Sequence, residues 1–276
     1  MKEKGVIFVA SGEKYVEEVR DSLKRLKSVM PEIDATFYTD RNLDVAEADQ
    51  VIVEEDLDRD YSAKIKKMKE SPYEKTIFLD SEVKVEEDFS EIFEVLEDFQ
   101  MAFSFKNGTI QGESMYGMDM SYNTGVIAYR DDEVVQNFFS DWLEAYRKER
   151  EEYHDQTSFF NSIVKSDVRY ITLPFEYNYR LQYSCLAHGE IKIFHFREEE
   201  MPGFSLISRN SEKIIKKINS KRGRRVSVPS LTGVKIISEK DFSEITRFFG
   251  RIRKEGLMST LQVGVSRYRS GEDIFQ

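Results

Sequence analysis

Two carboxylates, Asp80 and Glu82, stand two residues apart directly after the apolar run Thr76–Leu79. In an extended backbone this spacing points both side chains to the same side. Two hard oxygen ligands on one side suit Mg²⁺ or Mn²⁺ and leave coordination positions open for a diphosphate. An acidic triplet by itself is more typical of a solvated turn, but its place at the end of an apolar strand favours a ligand site.

The elements that must position these residues alternate between strand and helix. Short apolar runs predict strands at Gly5–Ala10, Ala35–Tyr38, Val51–Val53, Thr76–Leu79, Met101–Phe105, Gly125–Tyr129, Tyr170–Leu173 and Ile191–Phe196. Helical spacing predicts helices from Tyr15 to Met30, and over Tyr61–Glu70, Phe89–Phe99, Asp131–Glu152 and Asp155–Val164. This alternation predicts an α/β fold with a mostly parallel sheet flanked by helices. In such a sheet, ligands bind beyond the carboxyl ends of the strands, where Asp80 and Glu82 lie.

The composition is that of a folded protein. Of the 276 residues, 40% are apolar and 33% are charged, which excludes a disordered chain. The single cysteine, Cys185, excludes an internal disulfide framework and fits a reducing compartment. The apolar run near the start is too short for a signal peptide or a membrane span. We therefore expect a cytoplasmic protein.

The net charge of −10 conceals a strong asymmetry along the chain. Residues 1–200 carry 25 Lys and Arg against 44 Asp and Glu, whereas residues 201–276 carry 16 against 7. We predict a main domain over 1–200 and a small basic extension over 201–276, with helices near Ile214 and over Phe242–Arg253. The extension is expected either to contact an anionic membrane surface peripherally or to dock on the acidic body. No nucleic-acid partner is expected.

Several ordered segments resemble the GT-A glycosyltransferases, also called nucleotide-diphospho-sugar transferases. The resemblance covers roughly residues 5–200, and the order of the segments makes it more specific than any one motif. The matching segments are Gly5–Ser11 with Tyr15, Lys64 before Ser71-Pro72-Tyr73, Leu79–Glu82, Tyr122–Val126, His154–Gln156, Leu173-Pro174 with Asn178, and Ile193–Phe196. The last of these is similar to the strand whose His completes the metal site in glycogenin-like members.

The resemblance implies a GT-A (Rossmann-like) fold and a set of site residues. The implied metal ligands are Asp80, Glu82 and His195. The implied nucleotide-sugar contacts are Ala10, Ser11, Gly12, Tyr15, Lys64, Ser81, Thr124 and Gly125. The residues implied to hold the sugar and to act in catalysis are Asn123, Asp155 and Gln156. Relatives have Asp where this chain has Glu82, so the longer side chain either reaches the metal or points away.

The implied activity is a hexosyltransferase-like transfer of a sugar from a nucleoside-diphosphate sugar to an acceptor hydroxyl, assisted by Mn²⁺ or Mg²⁺. The acceptor is expected to be a glycan, a lipid-linked molecule or a protein. An inverting enzyme would use Asp155 as its base, whereas a retaining one would use the leaving phosphate. The alternatives are a catalytically silent GT-A-like binding domain and a sugar nucleotidyltransferase. The second is less favoured, because a nucleotidyltransferase normally has a glycine-rich loop after the first strand and this chain has a single glycine there.

Each site residue also has a structural interpretation. Lys64 belongs to a run of lysines that is typical of a solvated helix face. Asn123 and Gly125 are common in turns. Asp155 is a suitable helix N-cap, and His195, between two phenylalanines, is typical of a structural histidine.

Overall fold

The centre of the fold is a seven-stranded sheet. The chain is represented by a computed structural model, which describes residues 1–106, 121–149, 155–197, 199, 211–221, 223–230, 233–241, 243, 246 and 247. The strands of the central sheet are β1 (Lys2–Ala10), β2 (Ala35–Thr39), β3 (Gln50–Val53), β4 (Tyr73–Leu79), β6 (Met101–Phe105), β7 (Tyr122–Arg130) and β8 (Tyr170–Leu173). β5 (Val83–Val85) lies outside this sheet, which has the order β3-β2-β1-β4-β7-β6-β8.

The sheet is mostly parallel, as predicted. β1 pairs in parallel with both β2 and β4, and β6 pairs in parallel with β8. β7 alone runs against its neighbours β4 and β6. As a result, the carboxyl ends of β1 and β4 meet the amino end of β7 at one edge of the sheet. This edge carries the residues that follow Leu79 together with Asn123, Thr124 and Gly125.

Helices cover both faces of the sheet. They are α1 (Glu13–Val29), α2 (Ser62–Lys69), α3 (Glu91–Asp98), α4 (Glu133–Glu149) and α5 (Asp155–Ile163). On one face α1 buries Val16, Val19 and Leu23 in a cluster with the inner strands. On the other face α2, α4 and α5 pack around Trp142, which is fully buried. Both helical layers leave the carboxyl edge of the sheet uncovered.

A two-stranded pairing completes that edge. β5 pairs antiparallel with β10 (Ile193–His195), and His195 lies opposite Val83. β5 begins directly after Asp80-Ser81-Glu82, so the pairing carries the late histidine to the acidic triplet. The sequence analysis predicted β10, with wider bounds, but not β5.

The described part of the basic extension packs against the main body. β11 (Arg225–Ser230) pairs with β9 (Cys185–Ala187) and with β12 (Gly233–Ser238). α6 (Ser211–Ser220) buries Ile215 and Ile218 in the same cluster as Tyr179 and Phe194. The helix predicted near Ile214 is therefore present, whereas the strands β9, β11 and β12 were not predicted. The division at residue 200 remains a prediction.

Some basic residues of the extension are engaged within the protein. Arg225 is only 2% exposed, and Lys221 pairs with Asp241 at 3.1 Å. His154, residues 150–152 of the predicted helix and most of the predicted helix over 242–253 lie outside the described residues. Among the described helices, none combines the length and the apolar character that crossing a membrane requires.

Candidate active site

Asp80, Glu82 and His195 form a compact cluster at the exposed edge of the sheet. One ligand atom from each of the three lies within 4.8 Å of the others. His195 Nε2 is 3.2 Å from Glu82 Oε1 and 3.7 Å from Asp80 Oδ2. Glu82 thus points into the cluster, and the alternative that it points away is wrong. Two carboxylate oxygens and one imidazole nitrogen are a suitable donor set for a divalent cation.

A chain of hydrogen bonds fixes the ring of His195. The backbone N–H of Gly125 donates to Asn123 Oδ1 at 3.0 Å, so this oxygen is an acceptor. Asn178 Nδ2 donates to the same oxygen at 2.7 Å, which turns Asn178 Oδ1 towards His195 Nδ1 at 2.9 Å. Since Asn178 Oδ1 only accepts, the ring donates from Nδ1. Nε2 is therefore the ring nitrogen that faces the two carboxylates, and it is the one available as a metal ligand.

Glu82 is held by a second group of residues. Arg197 Nη2 donates to Glu82 Oε2 at 2.8 Å, and Ser81 Oγ donates to it at 3.0 Å. Arg197 is in turn held by Glu18, at 3.0 Å from Nε to Oε1. Burial opposes ionisation of Glu82, but the hydrogen bond from His195 and the charges of His195 and Arg197 lower its pKa to about 2. Glu82 is therefore a carboxylate that presents only Oε1 to the cluster.

Asp80 connects the cluster to a buried ion-pair network. Its backbone N–H donates to the Gly125 carbonyl at 2.9 Å, which fixes the end of β4 against β7. Asp80 Oδ1 lies 3.7 Å from Lys64 Nζ, and Lys64 Nζ lies 2.6 Å from Asp155 Oδ2. Burial raises the pKa of Asp80, while the charge of Lys64 opposes that shift. A cation bound beside Asp80 would relieve the cost of its burial.

Lys64 and Asp155 are both almost fully buried. Lys64 is 6% exposed and Asp155 is 2% exposed, so the solvated-face interpretation of Lys64 is wrong. Thr124 Oγ1 donates to Asp155 Oδ2 at 2.6 Å and accepts from Lys64 Nζ at 3.0 Å. Burial opposes the charge of Lys64, but the attraction of Asp155 and Asp80 raises its pKa above the ordinary value. Lys64 is therefore permanently charged at the base of the site.

Gly125 is required at its position by the cluster itself. A Cβ atom there would lie closer than 3.0 Å to the His195 ring and to Asp80 Oδ2. Contacts this short essentially never occur for real Cβ atoms, so any side chain would displace a candidate ligand. The glycine leaves the space in which the two groups converge, and the donor set fits Mn²⁺ or Mg²⁺.

A cavity of about 650 Å³ opens beside the cluster. Its volume lies within the usual range of small-molecule sites. Most of the predicted site residues line it: Ala10, Ser11, Tyr15, Lys64, Asp80, Ser81, Glu82, Asn123, Thr124, Asp155, Gln156 and His195. The other two predicted residues, Gly12 and Gly125, are not among the residues that line the cavity. Gly12, with φ of 83°, stands at the start of α1 and donates its N–H to Asp40 Oδ1. Gly125 lies behind the cluster.

Sequence reasoning missed several residues of this cavity. Arg197, Arg180, Lys106 and Tyr61 line it as well. A signal existed for Arg197, because it stands two residues after His195, just as Glu82 stands two residues after Asp80. Lys106 directly follows the last residue of β6. Arg180 carried no local signal, since its place depends on the packing of a segment without regular structure.

Comparison with known proteins supports the family and the fold. The sequence profile of the nucleotide-diphospho-sugar transferases matches residues 77–216, which is about half of the chain. The chain belongs to this family. The matched range contains Asp80, Glu82 and His195. A sequence search against curated proteins returns no match.

Solved structures show that this nucleotide-diphospho-sugar transferase shares its fold with glycosyltransferases. The glycosyltransferase GlyE of Streptococcus pneumoniae TIGR4 is similar with a TM-score of 0.51 and 16% identity, over 66% of this chain and 48% of that chain. The apo form of mouse xyloside xylosyltransferase 1 is similar with a TM-score of 0.51 and 12% identity, over 71% of this chain and 98% of that chain. The present chain thus aligns with about half of the length of GlyE. At these identities the likeness concerns the GT-A fold alone.

Proposed function

We propose that this protein transfers a sugar from a nucleoside-diphosphate sugar to an acceptor hydroxyl with the assistance of a divalent cation. The observation that carries the proposal is the convergence of Asp80, Glu82 and His195 beside a cavity that also contains the buried Lys64–Asp155 pair. The presence of Glu in place of Asp at position 82 permits a silent domain, but the Glu82 carboxylate still faces His195 in the cluster, which favours the enzyme.

The proposed cation is Mn²⁺, with Mg²⁺ as the alternative. Asp80, Glu82 and His195 would hold it, and carboxylates with one imidazole suit Mn²⁺ better than the all-oxygen preference of Mg²⁺. When bound, the cation would neutralise charge on the departing nucleoside diphosphate. The orientation of His195 by Asn178 and of Glu82 by Arg197 holds the donor atoms in place before the substrate arrives.

The two ends of the cavity suggest how the donor lies. Tyr15 is 44% exposed at the end formed by β1, so its ring is available to stack on the nucleotide base. Lys64 supports the diphosphate side as a fixed positive charge. Asn123, Asp155 and Gln156 would orient the transferred sugar on the other side. This is the arrangement in which the anomeric carbon stands between the cluster and Asp155.

The engagement of Asp155 bears on stereochemistry. Its Oδ2 is 2.6 Å from Lys64 Nζ and accepts a hydrogen bond from Thr124 at 2.6 Å. A general base must be able to take up a proton from the acceptor, and an oxygen already bound by an ammonium group and a hydroxyl is poorly suited to it. We therefore favour retention, with Asp155 as a positioning group and the leaving phosphate as the proton acceptor.

The test is donor hydrolysis and binding. The protein is incubated with Mn²⁺ and a panel of UDP- and GDP-sugars, and free nucleoside diphosphate and the melting temperature are measured. We expect release from one donor and a rise in melting temperature with the matching nucleotide. Asp80→Asn should abolish both, whereas Asp98→Asn, on the exposed end of α3, should change neither. Absence of hydrolysis together with absence of nucleotide-dependent stabilisation would exclude the proposal.

The acceptor and the basic extension are linked in the proposal. A glycan, a lipid-linked molecule or a protein would supply the acceptor hydroxyl, and peripheral contact of residues 201–276 with an anionic membrane in the cytoplasm would favour the lipid-linked class. Lys216 and Lys217 lie on the exposed side of α6, opposite Ile215 and Ile218. In sedimentation with anionic and neutral vesicles, the full chain should pellet only with anionic ones, and K216Q/K217Q should pellet less. Equal sedimentation of both proteins would refute this contact.

A further inference from the structure

The end of the cavity that contains Asp155 and Gln156 carries two cationic side chains, Lys106 and Arg180. Both line the cavity, and neither forms a salt bridge with any residue that the structure describes. Arg180 is 9% exposed, and its Nε and Nη1 are buried without a hydrogen-bond partner. Buried donors without partners are rare and costly, and more so on a charged group. None of the described residues accepts from these two donors, and an anionic ligand in the cavity would do so.

Contacts with the described residues do not satisfy the Arg180 guanidinium. Its Cζ lies 4.5 Å from the centroid of the Tyr183 ring, which is a cation–π contact and supplies no hydrogen-bond acceptor to the N–H groups. Nε and Nη1 therefore keep their donors for a ligand, and a guanidinium recognises carboxylates and phosphates through such N–H groups.

The charge balance at this end is positive. Burial lowers the pKa of Lys106, and the nearby charge of Arg180 lowers it further, whereas Asp155 raises it. Asp155 is already paired with Lys64 at 2.6 Å, so it cannot compensate Lys106 and Arg180 as well. Two neighbouring cations in a partly buried site favour an anionic ligand.

Two amide side chains define the rest of the ligand's chemistry. Gln156 Oε1 and Gln182 Oε1 are buried without partners, and both residues line the same cavity. Amide oxygens accept hydrogen bonds, and the natural donors in a sugar-binding cavity are hydroxyl groups. The complementary ligand therefore combines hydroxyl groups with a negative charge. An acidic sugar or a sugar phosphate has both.

We propose that Arg180 and Lys106 form a subsite for a carboxylate or phosphate group on the sugar bound beside Gln156 and Gln182. The inference rests on the proposed function, since it names the substrate class of that site. The anionic group belongs either to the transferred sugar, as in a uronic acid, or to the acceptor, as in a sugar phosphate. In either case Arg180 and Lys106 select the charged sugar over its neutral counterpart.

The experiment measures preference for charge in two arms. In the donor arm, binding of UDP-glucuronate and UDP-glucose is compared by calorimetry in the presence of Mn²⁺. In the acceptor arm, glucose 6-phosphate and glucose are compared in the presence of Mn²⁺ and UDP. We expect at least a tenfold preference for the anionic compound in one arm. R180Q and K106Q should each reduce that preference to less than threefold, and R20Q, on the surface of α1, should preserve it.

A second measurement separates a ligand-binding arginine from a structural one. Removal of a buried cation that lacks a partner should leave the melting temperature of the ligand-free protein unchanged or raise it, as in other sites that trade stability for function. A structural Arg180 would instead give a lower melting temperature in R180Q.

The subsite is refuted by such a loss, by equal or undetectable binding of charged and neutral compounds in both arms, or by a preference that persists in R180Q. If UDP and Mn²⁺ bind but charge is not selected, the subsite fails while the proposed function stands. If UDP and Mn²⁺ do not bind but an Arg180-dependent preference for the phosphorylated sugar remains, the proposed function fails instead.

Discussion

Replacing Asn178 by Leu tests whether the orientation of His195 matters for metal binding. The two side chains have similar size, but Leu can neither accept from His195 Nδ1 nor donate to Asn123. Asn123 keeps its hydrogen bond from Gly125, so the backbone of β7 retains its anchor. The perturbation therefore falls on the ring of His195, which loses the 2.9 Å contact that fixes its Nε2 towards the carboxylates, and on Asn123 Oδ1, which loses one of its two donors.

The expected magnitude follows from the two hydrogen bonds that are lost. Each buried hydrogen bond contributes about 0.5–1.5 kcal/mol, so the free energy of unfolding should fall by about 1–3 kcal/mol. Loss of a partner that orients a metal-binding His typically weakens metal binding by about 10–100-fold. This weakening corresponds to about 1.4–2.8 kcal/mol of binding free energy. The fold should survive, whereas the affinity for the cation should not.

Titration calorimetry with Mn²⁺ in the presence of UDP measures this effect, and urea unfolding measures the stability. Asn219→Leu is the control, because Asn219 makes two hydrogen bonds of 3.1 Å to the backbone of Ile191 and accepts a third from Arg225 Nη2 at 3.3 Å, none of them with a residue of the cluster. It should lose at least as much stability as N178L and keep its affinity for Mn²⁺. If N178L binds Mn²⁺ within threefold of the unaltered protein, Asn178 does not orient a metal ligand and the reasoning is refuted.

Three further predictions follow from neighbouring features. Gly125→Ala should weaken Mn²⁺ binding more than tenfold in the same titration, because its Cβ would overlap the cluster, whereas Gly189→Ala, with open space around it, should have no effect. Lys64→Met should lower the free energy of unfolding by about 3–5 kcal/mol in urea, since it leaves Asp155 as an unpaired buried charge; a loss below 1 kcal/mol would contradict the pairing. Burial raises the pKa of Cys185 to about 12, so iodoacetamide at pH 8 should label this thiol in urea but not in the native protein, and rapid native labelling would show that β9 is not covered.

The sequence was sufficient to predict the central sheet and the edge of it at which the candidate site lies. Continuous apolar runs such as Gly5–Ala10 and Thr76–Leu79 are typical of strands covered on both faces, and both are strands of the inner sheet. The switch from the apolar run to Asp80 marked the carboxyl end of β4, because a buried strand cannot continue through an unpaired carboxylate. At these positions the local hydrophobic pattern and the burial in the folded protein agree, so the pattern alone predicts the strands.

The remainder depends on contacts between distant parts of the chain. β5 has only three residues and acquires its identity by pairing with β10, more than a hundred residues later. The basic extension gave a charge signal but no strand signal, and β11 is stabilised by pairing with β9 and by a buried cluster. Arg180 lies in a segment without periodicity, so its burial could not be foreseen. Tertiary packing decides which charged side chains are buried, and the amino-acid composition does not predict that packing.

Glu82 shows how such distant contacts change the meaning of a residue. Considered alone, the extra methylene of Glu relative to Asp predicts a looser metal ligand. In the structure, Oε2 is bound by Arg197 at 2.8 Å and by Ser81 at 3.0 Å, and only Oε1 faces His195. The longer side chain is what allows one carboxylate to reach both Arg197 and the cluster, and the second contact removes the freedom that the extra methylene adds. The departure from Asp is therefore compensated by Arg197, and the two residues are best regarded as one unit of the site.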